Sequence, residues 1–595
     1  MLPLFVDAKM APLMSPLRRL FPYLRRHRRA YLLGLAIVIL ATACGAIAPP
    51  LVGRMIDRLR EHSGTRTLIL TVTGGLALAA LLRAGLLFVS RYLILAGSRR
   101  IEYDLRNDLF AHLETLSARW FDTNATGEIT SRAINDIEGV RTMIGIGVLA
   151  IVSTGLLFLS SVVVMFAQSA FLAALFVLPL VGISLVMAWT GGKMHDQSTA
   201  VQAQLGVLSS RAQENFSGSR VVRAFVQEEN EVERYRAACG EYRTRNLRLA
   251  RWRSGSWAAI LVLADGAMIT TLLVGGKAII GHSLTIGVLT TFVLYQFQLL
   301  WPMVAIGWVI SIAQRGVACM GRLAEIFDAK PDSDDARAVP GGPPIQGRIE
   351  ARNLTFAYSS DRPPALKELS FSVTPGQKVA FVGRTGAGKS SIVQLLLRHY
   401  KLADGMLFLD GRDVNTIPLA ELRGAFGTVP QDLFLFSAKI RENIAFGGLN
   451  GVGDDAIQRA AEISRLVADL EQFPDRLDQM IGERGVTLSG GQKQRTALAR
   501  AVVREPRILI LDDALSAVDS HTEHEIQERL REFMKGRTTL VITHRLSAIT
   551  DADLIFVLDE GRLVEQGRHA ELVAAGGTYA KLWESQKLAE ELTRS

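Results

Sequence analysis

A chain of 595 residues has room for several domains, and with 49% hydrophobic residues and a positive mean hydropathy it is too apolar for a purely soluble protein of this size. Its net charge of +9 calls for an anionic partner, but the arginines stand beside apolar runs, which favours acidic lipid and disfavours nucleic acid. Cys44, Cys239 and Cys319 are too far apart to suggest a disulfide framework or a thiolate metal site, and they read as small apolar fillers.

Taken in order, Arg18, Arg19, Arg25, Arg26, Arg28 and Arg29 precede the first apolar segment, as a cytoplasmic flank facing acidic lipid would. Six apolar stretches are long enough to cross a bilayer as helices: 31–51, 68–90, 143–166, 170–189, 257–280 and 286–312. An even number returns both termini to the same side, which the arginines ahead of the first span assign to the cytoplasm. Arg91, Arg99, Arg100 and Arg106 agree with that orientation, whereas Arg54, Arg58, Arg60 and Arg66 fall in a loop it places outside. Ala41-Thr42-Ala43-Cys44 resembles a lipoprotein cleavage site, but the apolar run continues past it and five more follow, so a retained helix is expected.

Between the second and third spans, and again between the fourth and fifth, charged helix-forming sequence extends out of the membrane. Near the tip of the first extension Trp120 and Phe121 stand among polar residues, an apolar knob that needs a protein pocket; Glu214-Asn215-Phe216-Ser217-Gly218 repeats the pattern in the second. Within the spans Arg83 and Asp265 are the ionisable outliers. They could pair, each could line a substrate path, or Arg83 could snorkel. Gln296, Gln298 and Trp301 could likewise face a cavity.

A stretch rich in Asp, Pro and Gly, 329–347, marks a linker between a membrane domain, 1–328, and a second domain, 348–595. Strands are expected at 349–358, 369–373 and 379–382. The last runs into Gly383-Arg384-Thr385-Gly386-Ala387-Gly388-Lys389-Ser390, which fits G-x-x-x-x-G-K-[ST] and is followed by the apolar segment 392–397. Glycines let successive N–H groups turn inward around phosphate oxygens at a helix start. Lys389 would reach the β and γ phosphates, and the Ser390 hydroxyl would ligate Mg²⁺, a hard cation that prefers oxygen.

Further on, Leu488-Ser489-Gly490-Gly491-Gln492 resembles the signature of the ATP-binding cassette transporters, and six other features stand in that family's order. The resemblance implies that Tyr358 stacks on adenine, that the loop from Gly383 to Ser390 with Ser391 holds phosphate, and that Gln431 is the Q-loop glutamine. It also implies that Asp512 ends Walker B, that Ser516 to Asp519 form the D-loop, and that His544 is the switch histidine. Ser390, Gln431 and Asp512 are the implied Mg²⁺ ligands, and Ser489, Gly490, Gly491 and Gln492 would meet an ATP held by a second cassette. Six spans and one cassette resemble a half-transporter of the exporter type: a polytopic helical membrane domain of type IV exporter form followed by an α/β P-loop domain, in the bacterial inner membrane with the cassette cytoplasmic. By the same resemblance the Trp120 and Glu214 to Gly218 regions are coupling helices.

One position departs from the family pattern. The hydrolytic cassettes follow the Walker B aspartate with glutamate, and this chain has Asp513. A carboxylate about 1 Å short of the attacking water is a poor general base, by about 10²-fold. A weak site beside an intact signature resembles the degenerate-site subunit of heterodimeric multidrug exporters, the multidrug-like MdlA type. That implies a different partner chain bearing glutamate and an amphiphilic, drug-like or lipid-like substrate. A homodimer in which aspartate suffices, and a regulatory subunit that holds ATP, are the alternatives.

Overall fold

A computed structural model describes residues 11–60, 66–331, 335, 337–359, 361–448, 451–482, 488–515, 520–543 and 549–594. They form two compact units, one of Met1–Leu113 and Thr126–Ala329, the other of Glu114–Ala125 and Lys330–Ser595. In sequence Glu114–Ala125 interrupts the first unit, yet it belongs to the second.

The helices of the first unit are α1 (Ala11–Arg26), α2 (Arg28–Arg60) and α3 (Arg66–Leu113), then, after α4 (Ala118–Thr123) of the second unit, α5 (Thr126–Gln168), α6 (Ala170–Ser217), α7 (Ser219–Ala224), α8 (Glu228–Ile280) and α9 (Ile286–Asp328). Five of them are long and apolar enough to cross a membrane; α9 carries the sixth expected span, with an apolar described stretch at Ile286–Leu299. α3, α6 and α8 run for 48, 48 and 53 residues. At 1.5 Å per residue each is more than twice as long as a hydrocarbon core of about 30 Å, so each continues well beyond its apolar part.

Pro49 and Pro50 lie inside α2, where Pro50 removes the N–H that would bond the Ala46 carbonyl. That carbonyl takes its bond from the hydroxyl of Tyr295 on α9, a fully buried ring. The two helices also meet backbone to backbone: a Cβ on Gly53 would stand 2.3 Å from the Gly287 oxygen. Asp57 of α2 accepts the Gly287 N–H at 2.7 Å at the start of α9. Small residues therefore let the helices approach, and side chains of one repair the backbone of the other. The guanidinium of Arg83 lies against Gly45, Asp265 is exposed, and the two form no ion pair among the described residues. Gln296 donates to the Ala264 carbonyl on α8 at 2.8 Å, and the side chain of Trp301 is outside those described.

The second unit is built on two sheets. β1 (Ile349–Phe356), β2 (Leu366–Val373), β4 (Leu407–Leu409) and β5 (Arg412–Asp413) form an antiparallel sheet in the order β2-β1-β4-β5. The central sheet has the order β10-β9-β3-β8-β7-β6, from β3 (Lys378–Gly383), β6 (Phe426–Val429), β7 (Ile508–Asp512), β8 (Thr538–Ile542), β9 (Leu554–Asp559) and β10 (Arg562–Gly567), and is parallel except for β10. β7 and β8 are buried at every residue, which is why they read as unbroken apolar runs rather than alternating ones. Phe371 of the first sheet packs on Phe381 and Phe556 of the second, with centroids 5.3 Å apart in each pair. α10 (Lys389–Leu396) follows β3, and α11 (Gly490–Val502) precedes β7.

Candidate nucleotide site

β3 ends where the sheet's carboxyl edge opens, the place at which parallel sheets hold ligands. The turn from β3 into α10 is made by glycines because side chains do not fit. A Cβ on Gly383 would stand 2.2 Å from the Leu558 oxygen, and Gly388 has φ of 96° with the Ala365 oxygen 2.7 Å from its Cβ position. Gly388 is the N-cap of α10 and brings no side chain to cap it, so the first turn keeps N–H groups for an anion. Lys389 is buried, with its ammonium donating to the carbonyls of Gly383 at 2.8 Å and Arg384 at 3.0 Å. Burial lowers its pKa, against the opposing pull of Asp513 and Asp512.

A cavity of about 460 Å³ brings the loop from Thr385 to Ser391 together with Tyr358, Gln431, Asp512 and Asp513. That volume is within the usual range for a small-molecule site. Gly383 and Arg384 line a separate cavity of about 220 Å³ beside Tyr579 and Trp583. The Tyr358 hydroxyl shares a hydrogen bond of 2.8 Å with Ser391 Oγ, a contact that nothing in the motif foretells. Asp513 has φ of 50°, a left-handed backbone that Asp tolerates better than most residues, and its N–H donates to the Ile542 carbonyl at 2.7 Å. The cavity thus holds one ammonium, two carboxylates, a carboxamide, hydroxyls and a helix start. This set can take a polyphosphate, with oxygen donors left for a hard cation.

The signature residues are not among those lining that cavity. Ser489 is the N-cap of α11: its Oγ accepts the Gln492 N–H at 3.3 Å while its own N–H donates to Gln492 Oε1 at 2.9 Å, a capping box. Ser489 and Gly490 are exposed and Gly491 is buried. α11 is anchored by a two-point ion pair from Arg495 to Asp469 at 2.6 and 2.7 Å, both side chains nearly buried. Asp469 stands 26 residues before Arg495 without a motif to announce it. Residues 516–519 and His544 lie outside the described residues.

A polytopic helical unit and a phosphate-loop unit on one chain define a nucleotide-driven membrane transporter. Residues 31–303 match the family described as ABC transporter transmembrane region, and residues 366–516 match the family described as ABC transporter. The chain is 35% identical over 583 residues to a Bacillus subtilis protein named "Probable multidrug resistance ABC transporter ATP-binding/permease protein YheI", covering 97% of this chain and 99% of that one. It is 36% identical over 497 residues to an "ATP-dependent lipid A-core flippase" of Aromatoleum aromaticum, covering 83% and 82%. In fold it is similar to "Structure of a bacterial Atm1-family ABC exporter with ATP bound", with a TM-score of 0.78 at 28% identity over 95% of this chain and 98% of that one. This chain belongs to the ABC transporter family and is a multi-pass membrane exporter whose second unit is its ATPase.

Proposed function

We propose that this chain is one half of an ATP-driven exporter of amphiphilic molecules, drug-like or lipid-like, working with a different half-transporter in a bacterial inner membrane, with its ATPase unit in the cytoplasm. The loop from Gly383 to Ser391 and Tyr358 would hold ATP, and Ser390, Gln431 and Asp512 would offer oxygen to Mg²⁺. Among the described residues no three His, Cys, Asp or Glu side chains gather for a metal, so phosphate and water would complete the shell of such an ion. Bound there, the ion would neutralise phosphate charge.

The observation that carries the unequal partnership is Asp513 beside an intact, outward-facing signature. Asp513 would act as a short general base, with Gln431 and His544 assisting hydrolysis, while Ser489 to Gln492 complete a stronger site on the partner. The names of two relatives, a multidrug transporter and a lipid A-core flippase, support an amphiphile as cargo. One observation favours an equal homodimer instead: the left-handed backbone at residue 513 suits aspartate, so the shorter acid suits its position sterically.

The test is steady-state ATPase of the purified full-length chain, alone and with Asp513→Glu. The proposal expects slow turnover alone and a rise of about tenfold or more with glutamate. Brisk hydrolysis by the unmodified homodimer would overturn the unequal partnership.

A further inference from the structure

Tyr358 does not face the nucleotide cavity alone. Its ring packs edge to face on Tyr400, centroids 5.0 Å apart at 87°, and both rings pack on Phe356. One end of this cluster reaches the phosphate loop, because the Tyr358 hydroxyl is bonded to Ser391 in the first turn of α10. The other end reaches α4, because the Tyr400 hydroxyl donates to the Asp122 carboxylate, 278 residues away in sequence. Burial first, and then Asp122, raise the pKa of the Tyr400 phenol, so the donor stays protonated. Ser391, Tyr358, Tyr400 and Asp122 are thus a continuous path of contacts inside the second unit. The segment it ends on, Glu114–Ala125, continues at both ends into α3 and α5.

We propose that Tyr400 is a positioning residue that transmits occupancy of the nucleotide cavity to α4 through Tyr358 and Asp122. The inference rests on the reading of Tyr358 as the contact for the base of ATP. A purine seated against Tyr358 constrains its ring plane. Edge-to-face pairing depends on the angle between rings, so the Tyr400 ring must follow or lose its contact. Tyr400 has one hydroxyl, held by one charged acceptor, so a shift of its ring moves either Asp122 or the strength of that bond. The path uses two discrete contacts that nucleotide can bias, which is what coupling between two places in one unit requires.

The experiment is hydrogen exchange on the full-length protein in lipid nanodiscs, with and without Mg-ATP, comparing the unmodified chain with Tyr400→Phe, Asp122→Ala, Asp122→Asn and the double variant. Tyr400→Phe keeps both ring contacts and removes only the hydroxyl. In the unmodified chain ATP is expected to slow exchange in 383–391 and to change exchange in 114–125. In Tyr400→Phe and Asp122→Ala the response at 383–391 should persist while that at 114–125 falls about fivefold. The double variant should be no worse than either single one, and Asp122→Asn, which keeps a neutral acceptor, should restore part of the response. An undiminished response at 114–125 in Tyr400→Phe overturns the relay. So does protection of 383–391 with no change at 114–125 in the unmodified chain, which leaves the nucleotide site standing. Absence of any ATP response in both segments overturns the nucleotide reading together with the relay.

Discussion

Two helix starts in the second unit are built in opposite ways. α10 begins at a glycine that caps nothing, folded over a buried lysine whose ammonium rests on its own loop's carbonyls. α11 begins at an exposed serine that caps itself through Gln492. The first has donors and a charge that rests on carbonyls of its own loop, so a phosphate that draws Lys389 away from them meets a site already shaped. The second has satisfied part of its helix start and stands open, so an anion there must come from outside the chain and trade against an existing cap. A start of the first kind suits tight, resident binding, and one of the second suits a contact made and broken each cycle.

The largest effect should come from spoiling the open start. Gly490→Glu places a carboxylate where a partner's phosphate would approach, and turnover of the assembled transporter should fall about 10²-fold or more. ATP binding at 383–391, measured by equilibrium titration, should be unchanged. Loss of ATP binding as well would mean that the two starts are not separate. Lys389→Ala breaks the closed start: removing a charged donor to phosphate should weaken ATP binding at this chain's own loop about tenfold to a hundredfold. The partner's site should keep its nucleotide, and loss of both nucleotides on counting would contradict the assignment. Ser489→Ala is milder. It removes a cap worth about 1 kcal/mol, so turnover should drop by less than tenfold and exchange at the start of α11 should quicken.

Both starts were legible in the sequence because their constraints are local. Glycines, one lysine and a strand before them specify the turn into α10, and Ser489 with Gln492 three residues on is a capping pattern in its own right. What escaped sequence reading is long-range. Pro50 announces a carbonyl in want of a donor, but that Tyr295 supplies it, 249 residues later, depends on how α2 and α9 pack. Asp122 and Tyr400 are ordinary surface residue types until the fold joins them. The left-handed backbone of Asp513 was likewise unreadable, since its N–H is held by the end of a strand from elsewhere in the sheet. Arg83 and Asp265 show the converse: a pairing that looked open in sequence is not made.

The smallest effect separates the far end of α10 from α11 by pH. His399 follows α10, with Nδ1 against Gln394 Oε1 at 2.6 Å, and burial first, then the Arg423 guanidinium, depress its pKa to about 4 from an ordinary value of 6.5, Asp122 opposing. The folded state therefore refuses a proton that the unfolded state accepts. Stability is complete above pH 6.5, declines as pH falls from 6.5 toward 4, and is level below that. The gap limits the loss to about 3 kcal/mol, and because His399 is only partly buried a smaller figure is expected. Hydrogen exchange across 389–399 should quicken between pH 7 and 5 after correction for intrinsic rates, and His399→Gln should abolish that dependence. α11 contains no histidine, so its protection should be nearly flat. Equal pH dependence in both helices would trace the effect to the unit as a whole rather than to His399, and the contrast between the buried helix and the open one would then not extend beyond their first turns.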